Sequence, residues 1–186
     1  MTDRLHFTGN DDADRLIAQD PFALLIGFAL DQQVTVPTAF AGPLKLKQRL
    51  GTLDAGEIAA TDPARLEEAF RERPAIHRFP ANMARRVQEL CAHVEERYEG
   101  DAARLWREAT DSEDLRRRIE ELPGFGEMKV KALGSVLAKR FGVANAFEGH
   151  LRARRARSGL HGDGRQPQRQ QAGVPGAQVL LLVLHQ

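Results

Sequence analysis

The segment Leu122 to Leu133 reads LPGFGEMKVKAL. Pro123 forbids continuation of a preceding helix, and Gly124 and Gly126 can take positive φ at no Cβ cost. Phe125, between them, is apolar and suited to anchor the turn. A helix opening at about Glu127 leaves its first amides without intrahelical acceptors, so they point outward beside the glycines. Such bare N–H groups at the positive end of a helix form an anion site, and glycines let a phosphate come close. Lys129 and Lys131 add positive charge in the first two turns. Standing alone, however, Pro-Gly-x-Gly between helices favours a plain corner without a ligand.

Other residues with chemical potential are fewer. ALDQQV, Ala29 to Val34, ends an apolar run on two amides, Gln32 and Gln33. Read alone, that is equally a polar helix C-terminus. Cys91 is the one cysteine, which excludes an internal disulfide and any four-cysteine zinc or iron–sulfur site supplied by this chain. The six histidines, at positions 6, 77, 93, 150, 161 and 185, show no ligand spacing, so neither a metal nor another cofactor is expected. His77 reads as a loop or packing residue and Trp106 as a core anchor. Arg85, Arg86, Lys45 and Lys47 could touch phosphates, but solvated charged faces explain them equally well.

The elements that must position these residues are helical. Asp20-Pro21 and Asp62-Pro63 each pair an N-cap with a proline at the first helical position. The first precedes FALLIGFALDQQ, which is apolar almost all round and so reads as a central, buried helix. The second precedes ARLEEAFRE, where Leu66, Ala69 and Phe70 share a face. Met83, Val87, Leu90, Val94 and Tyr98 form one stripe, on which Cys91 falls as a small core residue. Thr110 and Glu113 have capping-box spacing before DLRRRIEEL. Leu115, Ile119 and Leu122, then Val130, Leu133, Leu137 and Phe141, mark the inward faces of the two helices flanking the turn. No period-2 strand precedes Gly142, and no fixed-period repeat is present. The expected fold is all-α, a two-lobed helical domain over residues 1–149 with its hairpin at 122–129.

Composition supports an ordinary globule, with 42% hydrophobic and 28% charged residues. The longest clean apolar run, Phe22 to Leu30, is too short for a bilayer, which needs about 20 residues. The start has neither the basic end nor the apolar core of a secretion signal, and with Cys91 as the one cysteine a reducing cytoplasm is expected. The net charge of +1 hides an asymmetry. From Leu151 onward six arginines face only Asp163, which leaves residues 1–150 net acidic. Any contact with nucleic acid must therefore come from a local patch or from backbone donors. Residues 150–186 are rich in Arg, Gly and Gln and are expected to be disordered. Every helical cue stops there, which fits a natural basic tail and a shifted reading frame equally.

The ordered set LLIGxxLDQQV, FAGP and LPGFGExK resembles the helix–hairpin–helix/glycine-proline-aspartate superfamily of base-excision DNA glycosylases, in particular a short bacterial subgroup without an iron–sulfur cluster. The resemblance covers roughly Phe22 to Val143. It implies that Gly124, Phe125, Gly126, Lys129 and Lys131 form a phosphate-gripping hairpin. It also implies that Gln33, with Gln32 beside it, fills the gap left by an extruded base. Lyase members carry a nucleophilic lysine where this chain has Met128, which implies no lyase chemistry, since a Schiff base needs an amine. The catalytic carboxylate is implied at Glu148, in FEGH, where the family pattern has an aspartate.

The reading is a monomeric protein of the cytoplasm, nucleoid-associated if bacterial, that binds double-stranded DNA and no membrane. It would hydrolyse the N-glycosidic bond of a damaged base. The alternatives are a non-catalytic DNA-binding module of the same fold and a helical scaffold with no DNA role.

Overall fold

The structure is a computed structural model and describes residues 3–143. Among the described residues the chain forms helices and no strand, so the all-α class holds. In order these are α1 (Asp11–Gln19), α2 (Pro21–Leu30), α3 (Val36–Leu50), α4 (Ala55–Ala59), α5 (Pro63–Arg71), α6 (Pro80–Tyr98), α7 (Arg104–Arg107), α8 (Ser112–Glu120) and α9 (Glu127–Arg140). Glu148 and the segment 150–186 lie outside the described residues.

The helix starts follow from short-range chemistry. The Asp20 carboxylate accepts from the amides of Phe22 (2.9 Å) and Ala23 (3.2 Å), and Pro21 occupies the first helical position. Asp62 does the same for Ala64 and Arg65. Asp20→Ala leaves two opening amides of the central helix without a side-chain acceptor. It is expected to cost about 1 kcal/mol in chemical denaturation, with no change in denaturant slope. The cap of α8 lies one residue later than the Thr110/Glu113 spacing suggests. Asp111 is the N-cap and accepts from the amides of Glu113 and Asp114. Asp114 in turn accepts from the Thr110 amide at 3.1 Å. Between them the two aspartates accept from the amides of Thr110, Glu113 and Asp114.

Every residue of α2 from Phe22 to Leu30 is buried, so this is the central helix. Gly27 lets α3 approach closely, since a Cβ there would stand 2.5 Å from the Phe40 ring. Phe40 packs edge-on against Phe7 and Phe28, with centroids 5.0 and 5.1 Å away. The FAGP segment lies in the middle of α3, where Gly42 leaves room for Leu30. The α6 stripe from Met83 to Tyr98 is buried as expected. Cys91 is buried on it, and desolvation pushes its thiol well above the usual range, so it stays a neutral core group. Trp106 packs partly buried against the core, 6.2 Å from the Phe141 ring. Leu115, Ile119, Leu122, Phe125, Val130, Leu133 and Leu137 bring α8, the turn and α9 into the same hydrophobic core.

Candidate nucleic-acid interface

The hairpin between α8 and α9 is closed by the Phe125 amide, which donates to the Leu122 carbonyl at 3.1 Å. Gly124 takes φ +80°, the left-handed region where a Cβ is costly. Gly126 does not. It is extended (φ −84°, ψ 174°) as the N-cap of α9, so of the two glycines only Gly124 uses the positive φ open to both. A Cβ on Gly126 would meet no atom within 4 Å, so neither conformation nor packing demands glycine there. What glycine gives is an open approach to the first turn of α9. As a glycine, the N-cap residue itself supplies no side-chain cap to that end of the helix. Among the described residues Gly126 is exposed, and the opening amides of α9 beside it are donors of the kind that an anion needs.

Phe125 is buried beneath the turn and anchors it, so its ring is not available to DNA. Lys131 lies on the flank of α9, with its ammonium 2.5 Å from the Glu127 carboxylate. Lys129 is the clear departure. Only 2% of it is exposed, and its ammonium donates to the Ala29 carbonyl at 3.1 Å, above the Phe125 ring. It shares the inward face of α9 with Leu133 and Val136, so it faces the end of α2 and not a phosphate at the turn. Burial pushes its pKa down to about 8; Asp31 opposes that shift and Arg86 adds to it.

The end of α2 gathers further groups. Asp31 is 3% exposed, and its amide closes the helix on Gly27 and Phe28. The Gln32 side-chain oxygen accepts from Arg86 of α6 at 2.7 Å. The Gln32 carbonyl pairs with Nε2 of His77 at 2.9 Å. Nδ1 of His77 accepts from the Phe79 amide at 3.1 Å, which makes Nε2 the protonated nitrogen and so the donor to Gln32. Burial lowers the His77 pKa below its ordinary value, which favours this neutral form. Gln33 follows with φ +54°, exposed and in the left-handed region. A non-glycine residue held there costs on the order of 1 kcal/mol, so its surroundings must fix it. Arg86 also reaches the hairpin: its Nη1 lies 3.8 Å from where a Cβ on Gly124 would be.

Two residues near this surface were not read from sequence as part of it. Phe79 is the large hydrophobic side chain most out of place, 41% exposed, with the Arg78 guanidinium 4.8 Å over its ring. The signal available was an aromatic residue outside the α6 stripe, between Arg78 and Pro80. His77 was read as a loop or packing residue, and its role in holding Gln32 needed the fold. No group of three or more potential metal ligands occurs among the described residues.

The glycine hairpin and the exposed glutamine belong to segments whose order has a family counterpart. Residues 26–171 match the profile of HhH-GPD superfamily base excision DNA repair proteins. The chain belongs to the HhH-GPD superfamily. No curated protein and no solved structure matches it. The matched region opens inside α2, takes in the hairpin and runs on past Gly149. Base excision DNA repair is thus the role of this HhH-GPD chain, and DNA is its partner. No helix among the described residues is long and apolar enough to cross a membrane.

Proposed function

We propose that this HhH-GPD protein is a monofunctional DNA glycosylase, which hydrolyses the bond between a damaged base and its sugar without cutting the backbone. The observation that supports the reading is Arg86, which holds the residue before the exposed, left-handed Gln33 and also comes near Gly124 of the hairpin, whose next glycine opens α9. Gly124, Gly126 and the opening turn of α9 grip a phosphate of duplex DNA, and Lys131 supplies charge on the flank. Gln33 enters the stack where the target nucleotide has swung out, with Gln32 behind it. Phe79 and Arg78 offer an aromatic and cationic surface to the same duplex.

In the reaction the C1′–N bond breaks and the sugar gains positive, oxocarbenium-like character. A carboxylate stabilises that charge or takes a proton from the attacking water, whose oxygen ends on C1′. We assign that carboxylate to Glu148. A lyase step needs an amine at the reacting sugar. Met128 stands at the position of the family nucleophile, and the neighbouring Lys129 amine is turned inward onto Ala29. The protein works as a monomer on double-stranded DNA in the cytoplasm, at the nucleoid if its host is bacterial.

The test is single-turnover base release from duplexes carrying uracil, alkylated or oxidised bases, with Glu148→Gln alongside. Release without strand cleavage is expected from the wild type, with a loss of about a hundredfold or more in the variant. Release unchanged in the variant removes Glu148 from the role. No release from any duplex, with binding intact, leaves a non-catalytic binding module.

A further inference from the structure

Three side chains from three different parts of the chain converge on the last residues of α2. Lys129 reaches from α9 to the Ala29 carbonyl. Arg86 reaches from α6 to the Gln32 side chain. His77, from the segment before α6, holds the Gln32 carbonyl. We infer that Lys129, Arg86 and His77 are positioning residues that tie the Gln32–Gln33 turn to the phosphate-gripping hairpin, so that gripping the backbone and inserting Gln33 occur as one rigid unit. The inference rests on the proposed role of Gln33 as the residue that enters the duplex.

The chemistry of the three contacts supports a role beyond packing. A lysine is almost never fully buried, and an apolar residue would fill the Lys129 site on the inward face of α9 with no desolvation cost. What the ammonium adds is a strong directional bond to one of the last carbonyls of α2, which lack helical partners. Lys129 and Arg86 also place positive charge at the negative end of that helix. Gln32 is held at two points, its backbone by His77 and its side chain by Arg86. With Gln32 fixed at both, the left-handed backbone of Gln33 is held by the residue before it. Arg86 supplies the link, because the same Nη1 that holds Gln32 lies 3.8 Å from where a Cβ on Gly124 of the hairpin would stand. A helix end free to fray would let Gln33 fold back, since loop ends are the least stable parts of a structure.

The experiment uses a duplex with a tetrahydrofuran abasic analogue and 2-aminopurine as the neighbouring base, whose fluorescence reports unstacking. Binding is followed separately by anisotropy of an end-labelled copy, and folding by thermal melts. The wild type is expected to bind and to change the 2-aminopurine signal; Gln33→Ala binds but loses the change. Lys129→Met and Arg86→Gln are expected to bind within about fivefold of wild type and to lose most of the signal, with Arg86→Lys recovering part of it. Arg86 is only half-buried, so Arg86→Gln carries the test should Lys129→Met fail to fold. A full wild-type signal in folded Lys129→Met and Arg86→Gln overturns the inference while Gln33 keeps its role. A wild type that binds without any signal, or a Gln33→Ala that retains it, overturns the wedge role itself and the inference with it.

Discussion

Gly126→Asp is expected to fold as well as the wild type and to lose about tenfold or more in duplex affinity, or at least 1.4 kcal/mol. Folding is spared because Gly126 is extended and its Cβ direction is open. Aspartate is moreover among the best N-cap residues, and its carboxylate would satisfy the opening amides of α9. The same substitution blocks an anion site twice over. It occupies the donors a phosphate needs, and it sets a negative charge against that phosphate. The loss should therefore be uniform across DNA sequences and lower the dependence of affinity on salt by about one phosphate contact. Gly126→Asn caps the helix without the charge and should fall between the two. Anisotropy titrations at several salt concentrations, beside thermal melts, read all of this. Unchanged affinity in a folded Gly126→Asp would reduce the hairpin to a corner between helices.

The second large effect concerns Lys129 and pH. Its pKa is about 8 in the fold against 10.5 for an ordinary lysine. Between those values the unfolded chain holds the proton and the folded chain does not, so Lys129 makes stability rise with pH across that window. The full excursion is on the order of 3 kcal/mol. Cys91 works in the opposite sense. Burial raises its thiol above the ordinary value of 9.0, so the folded chain keeps a proton that the unfolded chain loses, and stability falls as pH climbs past that point. The two slopes overlap, and the wild-type curve alone therefore conceals both. The difference between wild type and Lys129→Met isolates the lysine. It should be flat below pH 8 and shift in favour of the wild type by about 3 kcal/mol by pH 10.5. Urea denaturation at half-unit pH intervals measures it. A difference that stays level across the window would mean that Lys129 keeps its ordinary affinity for protons and is solvated in the folded protein.

Helix starts were legible because they depend on neighbours only. Asp20-Pro21 and Asp62-Pro63 carry their own acceptor and their own fixed φ, and both cap as their spacing implied. The buried stripe of α6 and the burial of α2 follow from apolar periodicity in the same local way. The cap of α8 was ambiguous, since Thr110/Glu113 and Asp111/Asp114 offer the same spacing one residue apart. Only the placed carboxylates decide between them. Family membership was also legible, because it resides in the order of short segments along the chain.

The sequence by itself determined an all-helical domain with a Pro-Gly-Phe-Gly turn opening a helix, and an amide pair near the end of another. It could not show that these meet. Lys129 and Ala29 are 100 positions apart, Gln32 and Arg86 are 54, and Gln32 and His77 are 45. A lysine in the first turn of a helix reads as a solvated charge until another element is known to lie over it, and here the end of α2 does. The tertiary structure alone turned Lys129 from a surface contact into a buried tether and gave Gln32 its two anchors. The reason is that hydrogen bonds and desolvation act through space, over a few ångströms, whereas patterns of propensity and periodicity act along the chain.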